Sequence, residues 1–298
     1  MSGGKDSTYV AYVLKEKYGL NILGYTFDNG FLSETARGNI AASVNRLGLD
    51  HIYFKPRFSV IREVFAHFVT TEKGCATHAV CPSCCAFYLS FAKMISRRIG
   101  IPFVIFGWAA EQDQPGVRIG RSHAYHDARR LRQFLDSAFS AESSAYIREM
   151  LATHMHAWIP GSMAIWILKR IPERFFKYTA SKYPMVLTPL KAWGYDPERH
   201  ARKIVELGLI HEGKADPMDT NCLMVHLLNL IDVKRHGYSP FIGEFASSVR
   251  QGKLDRHKWL KIFDEINSQI MNGTYRRADI AKVLDKLGLK EQDLRTGE

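Results

Sequence analysis

Apolar and polar positions alternate along the first 107 residues in a pattern that predicts short buried strands separated by amphipathic helices. Residues 33–48 have helical spacing, with Ser33 at the cap position and Gly48 at the stop, and 87–99 predict another helix. Strand-like apolar runs occupy 21–27, 51–56 and 101–107. Such alternation predicts an α/β fold, a Rossmann-like parallel sheet with crossover helices on both faces.

Beyond Gly120 this alternation stops and helical spacing dominates. Residues 121–182 predict mostly helix broken by prolines, and 238–287 predict amphipathic helix. Between them, a strand and loop return from Pro184, and Asp196-Pro197-Glu198 opens a helix that ends at Gly208. We therefore expect three parts: 1–120, an inserted or appended helical lobe at 121–184, and 185–298, which completes the α/β domain.

The composition fits a chain with a full core. It has 298 residues, of which 46% are hydrophobic. No uninterrupted apolar run reaches the roughly 18 residues of a membrane span, and no signal peptide opens the sequence, so we expect a cytoplasmic protein without a span. The apolar stretch at 157–168 favours a buried helix over membrane contact.

The net charge of +11 is concentrated in the middle of the chain. Residues 118–203 contribute +8 of it, and their arginines and lysines are interleaved with aromatic residues. This combination suits an RNA backbone with bases available for stacking. It also suits an anionic sugar nucleotide or an acidic partner.

The sequence opens with "SGGKDS", a glycine turn followed by helical spacing. Gly3 and Gly4 can take positive φ and turn successive N–H groups into one concavity, while Ser2 and Ser7 add hydroxyl donors. The N-terminus of the following helix would favour a phosphate there. Lys5 would supply a mobile positive charge, and Asp6 would hold Mg²⁺ or cap the helix. The spacing is not that of a Walker A loop, and a plain N-cap turn is the simpler alternative.

This hexapeptide, Ser2-Gly3-Gly4-Lys5-Asp6-Ser7, resembles the signature S-G-G-x-D-S of the PP-loop ATP pyrophosphatase superfamily. The resemblance implies an adenine nucleotide alpha hydrolase-like fold, with ATP and Mg²⁺ bound at the loop. It also implies cleavage between the α and β phosphates and transfer of AMP to a substrate oxygen. In that family the loop follows a central strand, so we expect the first strand to be missing here. Replacing Lys5 or Asp6 by alanine should abolish most AMP formation.

Two further positions are candidates for the nucleotide site. Asp28 and Gly107 follow apolar runs, at the strand ends where ligands of parallel sheets bind. The resemblance implies that Asp28 approaches the adenosine, although an ordinary turn aspartate fits equally. Gly107 matches a family glycine that is often followed by histidine, where this chain has Trp108.

The five cysteines form a specific pattern. Cys81-Pro82-Ser83-Cys84 is a C-x-x-C segment that predicts a turn with two thiolates on one ion, and the distant Cys222 could complete a three-thiolate site. Three thiolates leave one position open on zinc or on one iron of a [4Fe–4S] cluster. Cys75 is a spare or a fourth ligand. Unrelated buried cysteines or a structural zinc are the alternatives.

This cysteine spacing resembles tRNA thiolation enzymes of the 2-thiocytidine synthetase type within the superfamily. That resemblance implies a [4Fe–4S] cluster on Cys81, Cys84 and Cys222, tRNA as acceptor and a sulfur-donor partner. We expect this function first, in an enzyme that forms a homodimer.

The opening at 2–31 and the tail at 220–256 resemble a second branch, the N-acetyl sugar amidotransferases. It implies a nucleotide-sugar acceptor and ammonia from a partner glutaminase, because this chain has no evident glutaminase domain. An inactive nucleotide-binding remnant is the third alternative.

Overall fold

The computed structural model describes residues 1–72, 74–109, 136–137, 139–152, 184–210 and 221–296. These residues form a mixed α/β structure that is mostly helical and carries small parallel two-stranded sheets. The strands are β1 (Leu23–Phe27), β2 (Asp50–Phe54), β3 (Phe103–Ile105) and β4 (Met185–Leu187). The helices are α1 (Lys5–Tyr12), which continues as a π-helical turn (Val13–Lys17), α2 (Glu34–Leu47), α3 (Phe58–Thr71), α4 (Ala76–Arg98), α5 (Ala141–Ala152), α6 (Pro189–Trp193), α7 (Pro197–Glu206), α8 (Met224–His236), α9 (Ile242–Arg250), α10 (Arg256–Met271) and α11 (Arg277–Leu287).

The chain divides into two compact units. The first contains Met1–Val80, Phe106–Val117 and Thr188–Glu298, and the second contains Cys81–Ile105 and Arg118–Leu187. The opening hexapeptide, Gly107 and Cys222 therefore belong to the first unit, and the C-x-x-C segment belongs to the second.

The described strands form two parallel pairs rather than the single sheet that the sequence predicts. In the first unit β1 pairs with β2 in register, Leu23 beside Asp50 through Phe27 beside Phe54. In the second unit β3 pairs with β4, Phe103 beside Met185. Within each pair the strands are parallel, as expected, and each strand lies within or close to its predicted segment.

Two predicted helix starts are confirmed in atomic detail. Ser33 caps α2 by accepting a hydrogen bond from the N–H of Ala36 at 3.1 Å, and Gly48 ends the helix in the left-handed conformation. Asp196 caps α7 by accepting from the N–H of Arg199 at 2.9 Å. Local sequence signals were sufficient here because each cap bonds to its own helix.

Helix α4 begins eleven residues earlier than the helix predicted at 87–99. Its free N-terminal N–H groups are satisfied by Asp232 of α8, whose carboxylate accepts from the N–H of Ala76 at 2.6 Å and of Thr77 at 2.9 Å. This side chain is distant in sequence, so no local signal marked the start. As a result, Cys81 and Cys84 lie on a helix and not on the turn that was expected.

The hexapeptide is anchored at both ends within the first unit. A core cluster of Ala11, Leu47, Leu49, Ile204, Leu209 and Ile210 joins α1 to α2, to α7 and to the segment after α7. At the other end, the amino nitrogen of Met1 donates to the carbonyl of Tyr25, and Thr26 Oγ1 donates to the carbonyl of Met1 at 2.7 Å. Burial lowers the pKa of this amino group to about 5. The hexapeptide thus runs between β1 and a helix that the core holds in place.

Within the described ranges, one helix is long and apolar enough to cross a membrane by length and composition alone. It is α4, with a mean hydropathy of 1.3 over its best window, of which 28% is buried. Core helices of soluble proteins pass the same test, so one such helix is weak evidence for a membrane span. The sequence predicted no membrane span because it contains no uninterrupted apolar run of sufficient length. Polar residues interrupt α4, so that criterion did not select it.

Most of the predicted helical lobe at 121–184 lies outside the described residues, and so does the run at 157–168. Within the described part of this lobe, α5 (Ala141–Ala152) is a helix, as predicted.

Candidate functional site

Residues 2–7 form a tight turn that leads directly into α1. Gly3 has φ +77, in the left-handed region that favours glycine, and Gly4 is the N-cap residue of α1. The first helical hydrogen bond runs from Thr8 N–H to the Gly4 carbonyl at 3.3 Å. The N–H groups of Lys5, Asp6 and Ser7 precede it, so in this part of the described structure they lack a main-chain acceptor. The turn therefore presents several donors at a helix N-terminus, as an anion site requires.

Backbone atoms approach so closely at Gly3 and Gly107 that glycine is required there, whereas the atoms nearest to Gly4 belong to the Asn221 side chain. A Cβ on Gly3 would lie 2.4 Å from the Ala36 carbonyl oxygen, and one on Gly4 would lie 2.5 Å from Asn221 Nδ2. A Cβ on Gly107 would lie 2.8 Å from Ser7 N and 2.9 Å from the Asp6 carbonyl carbon. The structure thus brings Gly107, a sequence-predicted site residue, directly against the hexapeptide.

Two asparagines that the sequence did not single out hold the turn. Asn39 Nδ2 on α2 donates to the Gly3 carbonyl at 3.0 Å. Asn221 Nδ2 lies 3.5 Å from Ser2 Oγ and contacts Gly4. Neither residue belongs to a recognisable motif, and only the fold brings Asn221 across more than two hundred residues of sequence.

The two serines of the hexapeptide contact each other across the turn. Ser2 Oγ and Ser7 Oγ are 3.0 Å apart, and Ser7 Oγ donates to the Gly4 carbonyl at 3.3 Å. Their hydroxyls close the turn on itself, and rotation of either hydroxyl would redirect its hydrogen towards a ligand.

Lys5 is not the mobile cation that the sequence suggested. Its side chain is only 11% exposed, and its Nζ lies 3.0 Å from Asp6 Oδ2 and 5.6 Å from the ring centre of Tyr195. Burial alone would lower the pKa of Lys5, but the Asp6 carboxylate and Tyr195 outweigh it and raise this pKa above its ordinary value. Lys5 therefore remains protonated in a fixed position beside the turn.

Asp6 has one engaged oxygen and one open oxygen. Oδ2 accepts from Lys5 and from the Tyr195 hydroxyl, the latter at 3.3 Å. Oδ1 is buried and has no hydrogen-bond partner among the described residues. A buried carboxylate oxygen left open is costly, and a hard cation is one of the ligands that would satisfy it. Oδ1 could therefore serve as one oxygen ligand of Mg²⁺, and Mg²⁺ at Asp6 stays a prediction of the sequence.

Asp28 lies at the carboxyl end of β1, where the sequence placed it, but its carboxylate is occupied. It is 1% exposed; Oδ1 accepts from Gly30 N–H at 2.9 Å, and Oδ2 accepts from Arg37 and Tyr53, each at 3.0 Å. Burial would raise its pKa, but these three hydrogen bonds together lower it. As it stands, Asp28 stabilises its own turn and fixes Arg37. Its contact with adenosine stays a prediction.

Cys222 lies next to a residue that contacts the hexapeptide. It follows Asn221 directly, forms a bridge with Leu32, and accepts a hydrogen bond from Asn29 Nδ2 at 3.5 Å. Burial raises the pKa of its thiol, which the bond from Asn29 opposes. Cys222 is therefore positioned near the loop in its neutral form.

Cys75 contacts Asp232, the residue that caps α4. Its Sγ donates to Asp232 Oδ2 at 3.3 Å, and burial together with this carboxylate raises its pKa to about 12. Cys81 is exposed and Cys84 half-buried, one turn apart on α4. None of the five cysteines, all of which are described, forms a disulfide.

No group of three or more His, Cys, Asp or Glu side chains is arranged to hold a metal ion within the described ranges. Cys81 and Cys84 belong to the second unit and Cys222 belongs to the first. The three-cysteine site stays a prediction of the sequence.

No protein-family model matches this chain, and no curated protein matches it significantly.

Proposed function

We propose that this chain is an ATP-dependent enzyme of the PP-loop type, which adenylates a substrate oxygen and releases pyrophosphate. The observation that carries this proposal is the turn at Ser2–Ser7. It has open N–H groups at the head of α1, close backbone contacts that require glycine at Gly3 and at the neighbouring Gly107, and a buried Asp6 oxygen without a partner among the described residues. The proposal includes the finer fold expectation, an adenine nucleotide alpha hydrolase-like domain.

The roles of the residues follow from their positions. The N–H groups of Lys5, Asp6 and Ser7 would bind phosphate oxygens, and Asp6 Oδ1 would hold Mg²⁺ against them. Mg²⁺, when bound, neutralises charge on the phosphates. The substrate oxygen attacks the α-phosphorus, the bond from that phosphorus to the α–β bridging oxygen breaks, and pyrophosphate leaves. Lys5, held by Asp6, would stabilise the negative charge that develops in this step.

The nucleophile that then displaces AMP defines the branch. Sulfur transfer to tRNA is the first expectation from the sequence, with the basic lobe at 121–184 as its binding surface, but that lobe lies largely outside the described residues. The alternative branch transfers nitrogen from ammonia to a nucleotide sugar, and that reaction needs no cysteine cluster. Because the adenylation step is common to both branches, the proposal rests on that step and not on either branch.

Binding of a nucleotide analogue tests the adenylation site directly. Wild-type protein should bind α,β-methylene-ATP, which cannot be cleaved between these phosphates, with higher affinity when Mg²⁺ is present. Asp6→Asn keeps the size of the side chain but removes its charge, so the Mg²⁺-dependent part of the affinity should fall by about tenfold or more, roughly 1.4 kcal/mol. Calorimetric titration measures both quantities.

Asp285→Asn is the matched control, because Asp285 is an exposed aspartate at the end of α11. It should bind the analogue like the wild type. Wild-type protein that fails to bind the analogue at all would contradict the proposal, and so would full Mg²⁺-dependent binding by Asp6→Asn.

Product analysis separates the branches. AMP release that requires both ammonium and an acetamido sugar nucleotide would identify the amidotransferase. A brown protein after anaerobic purification, with AMP release on addition of tRNA, would identify the sulfur-transfer enzyme.

A further inference from the structure

A small cavity is lined by residues from α1, α7, α9 and α10 of the first unit. Its volume is about 100 Å³. The polar groups of its lining belong to Lys5, Tyr195, Glu198, Ser248, Lys258 and Trp259, and only Lys5 was a candidate from the sequence. The proposed reaction assigns no role to Ser248, Lys258 or Trp259, so it leaves most of this lining unexplained.

Trp259 contributes a buried N–H donor without a partner. Its side chain lines the cavity and is only 6% exposed. Its Nε1 is buried and has no hydrogen-bond partner among the described residues. A buried donor that stays unpaired is destabilising. Because the indole N–H only donates, the group that it lacks is an acceptor atom.

Ser248 adds a second buried donor to the lining. The residue is 2% exposed, and its hydroxyl makes no hydrogen bond to another described residue. Ser248 and Phe245 are three residues apart on α9, so they share one face of the helix, and both line the cavity. Because the serine side chain beyond Cβ is the hydroxyl alone, this donor lies at the cavity wall.

Lys5 supplies a buried positive charge. Its side chain is 11% exposed. Burial opposes its charge, but Asp6 and Tyr195 raise its pKa above the ordinary value, so the ammonium stays protonated. It directs one N–H to Asp6 Oδ2 at 3.0 Å and carries two more.

The other charged pair of the lining, Glu198 and Lys258, is exposed. Lys258 Nζ lies 3.6 Å from Glu198 Oε1, and the two side chains are 58% and 48% exposed, so solvent screens this pair. The buried part of the lining therefore offers hydrogen-bond donors and one cation, whereas its carboxylate lies towards solvent.

The volume limits the ligand to a few atoms. A sphere of this volume is about 6 Å across, so groups on opposite walls can contact one small ligand. A cavity of about 150 Å³ takes benzene, which has six carbon atoms, so this cavity holds roughly four or five non-hydrogen atoms. Acetate has four such atoms and propionate has five.

The walls favour one negative charge next to an apolar part. Donors and a single buried cation suit oxygen atoms that share one negative charge. Ala201, Leu254 and Phe245 provide apolar contact for a short hydrocarbon tail. Inorganic phosphate has no apolar part, so it fits this lining less well.

We propose that this cavity binds a short-chain monocarboxylate of two or three carbons, acetate or propionate. Its oxygens accept hydrogen bonds from Trp259, Ser248 and Lys5, and its methyl or ethyl group contacts the apolar wall. This ligand is separate from the substrates of the proposed adenylation reaction, and the inference does not depend on that function.

A pair of ligands of equal shape tests the proposal. Acetate and acetamide have nearly the same shape, but only acetate is charged at neutral pH. Wild-type protein in a buffer free of carboxylates is titrated with acetate, propionate or acetamide, and binding is followed by saturation-transfer NMR. We expect acetate and propionate to bind at least about tenfold more tightly than acetamide.

Two substitutions each remove one donor. Ser248→Ala removes the hydroxyl, and Trp259→Phe removes the N–H but keeps an aromatic ring. Each should weaken acetate binding about tenfold, because a hydrogen bond to a charged group contributes about that much. The matched controls are Ser247→Ala, at the neighbouring residue of α9, and Trp193→Phe, at an exposed tryptophan. Neither residue lines the cavity, so both controls should bind acetate within about twofold of the wild type.

Three results would overturn the proposal. They are a wild type that does not bind acetate, acetamide binding as tight as acetate binding, and acetate binding that neither Ser248→Ala nor Trp259→Phe weakens. The first two results need only wild-type protein, so they decide even where a variant fails to fold. Binding of α,β-methylene-ATP is measured in a separate titration, so failure of this site and failure of the proposed function are distinguishable.

Discussion

Replacing Gly107 by alanine should damage the proposed nucleotide site although the sequence of the hexapeptide is unchanged. The new Cβ would lie 2.8 Å from Ser7 N and 2.9 Å from Ser7 Cα and the Asp6 carbonyl carbon. These are backbone atoms at the first turn of α1, so no side-chain rotation relieves the contact. Either α1 or the segment that carries Gly107 must move.

The size of the effect follows from these distances. Ordinary contact between carbon atoms begins at about 3.5 Å, so the two backbones must separate by roughly 0.7 Å. Overpacking of this kind costs about 1–3 kcal/mol of stability. A misplacement of about 1 Å at a reacting site costs on the order of a hundredfold in rate, so we expect AMP formation to fall on the order of thirtyfold, about 2 kcal/mol of transition-state stabilisation.

The assay compares this variant with a glycine replacement that has space. Gly38 on α2 is exposed, and a Cβ there would meet nothing within 4 Å. Gly38→Ala should raise stability by about 0.5–1 kcal/mol and leave activity and analogue affinity unchanged. Gly107→Ala should lower the midpoint of thermal unfolding and weaken binding of α,β-methylene-ATP. Wild-type analogue affinity in a normally folded Gly107→Ala protein would refute the placement of Gly107 against the hexapeptide.

Two further predictions concern buried carboxylates outside the hexapeptide. Asp232→Ala removes the acceptor at the start of α4 and should lower the free energy of unfolding by about 2–4 kcal/mol. It should also lower the pKa of Cys75 from about 12, so that Cys75 is alkylated faster at mildly alkaline pH, as peptide mass spectrometry would measure with the exposed Cys81 as internal control. Unchanged reactivity of Cys75 would contradict its contact with Asp232. Because the folded-state pKa of Asp28 is lowered from 3.8, its ionisation stabilises the fold above about pH 4, and this contribution is lost as pH falls through the lower folded pKa. Urea titrations from pH 7 to pH 3 should therefore show a stability gap between wild type and Asp28→Asn that shrinks at the acid end, and a gap independent of pH would contradict this assignment.

The sequence by itself determined the features that depend on neighbouring residues. The hexapeptide predicts its own turn, because Gly3 can take positive φ and the helix that follows supplies the N–H groups. Ser33 and Asp196 cap the helices that they introduce, and each is confirmed. Parallel pairing of β1 with β2 is also as predicted, since the helix between two apolar strands dictates it.

Only the tertiary structure decided the surroundings of the loop. Asn221, Tyr195 and Gly107 are distant in sequence from the residues they contact, and no local pattern distinguishes them from ordinary loop or helix residues. Asp232 set the start of α4 in the same way, across more than one hundred and fifty residues. The charge of Lys5 could be read from the sequence, but its burial against Asp6 could not. The physical reason is that capping and turn geometry are fixed by bonds within a few residues, whereas burial and contact distances depend on which segments the core brings together.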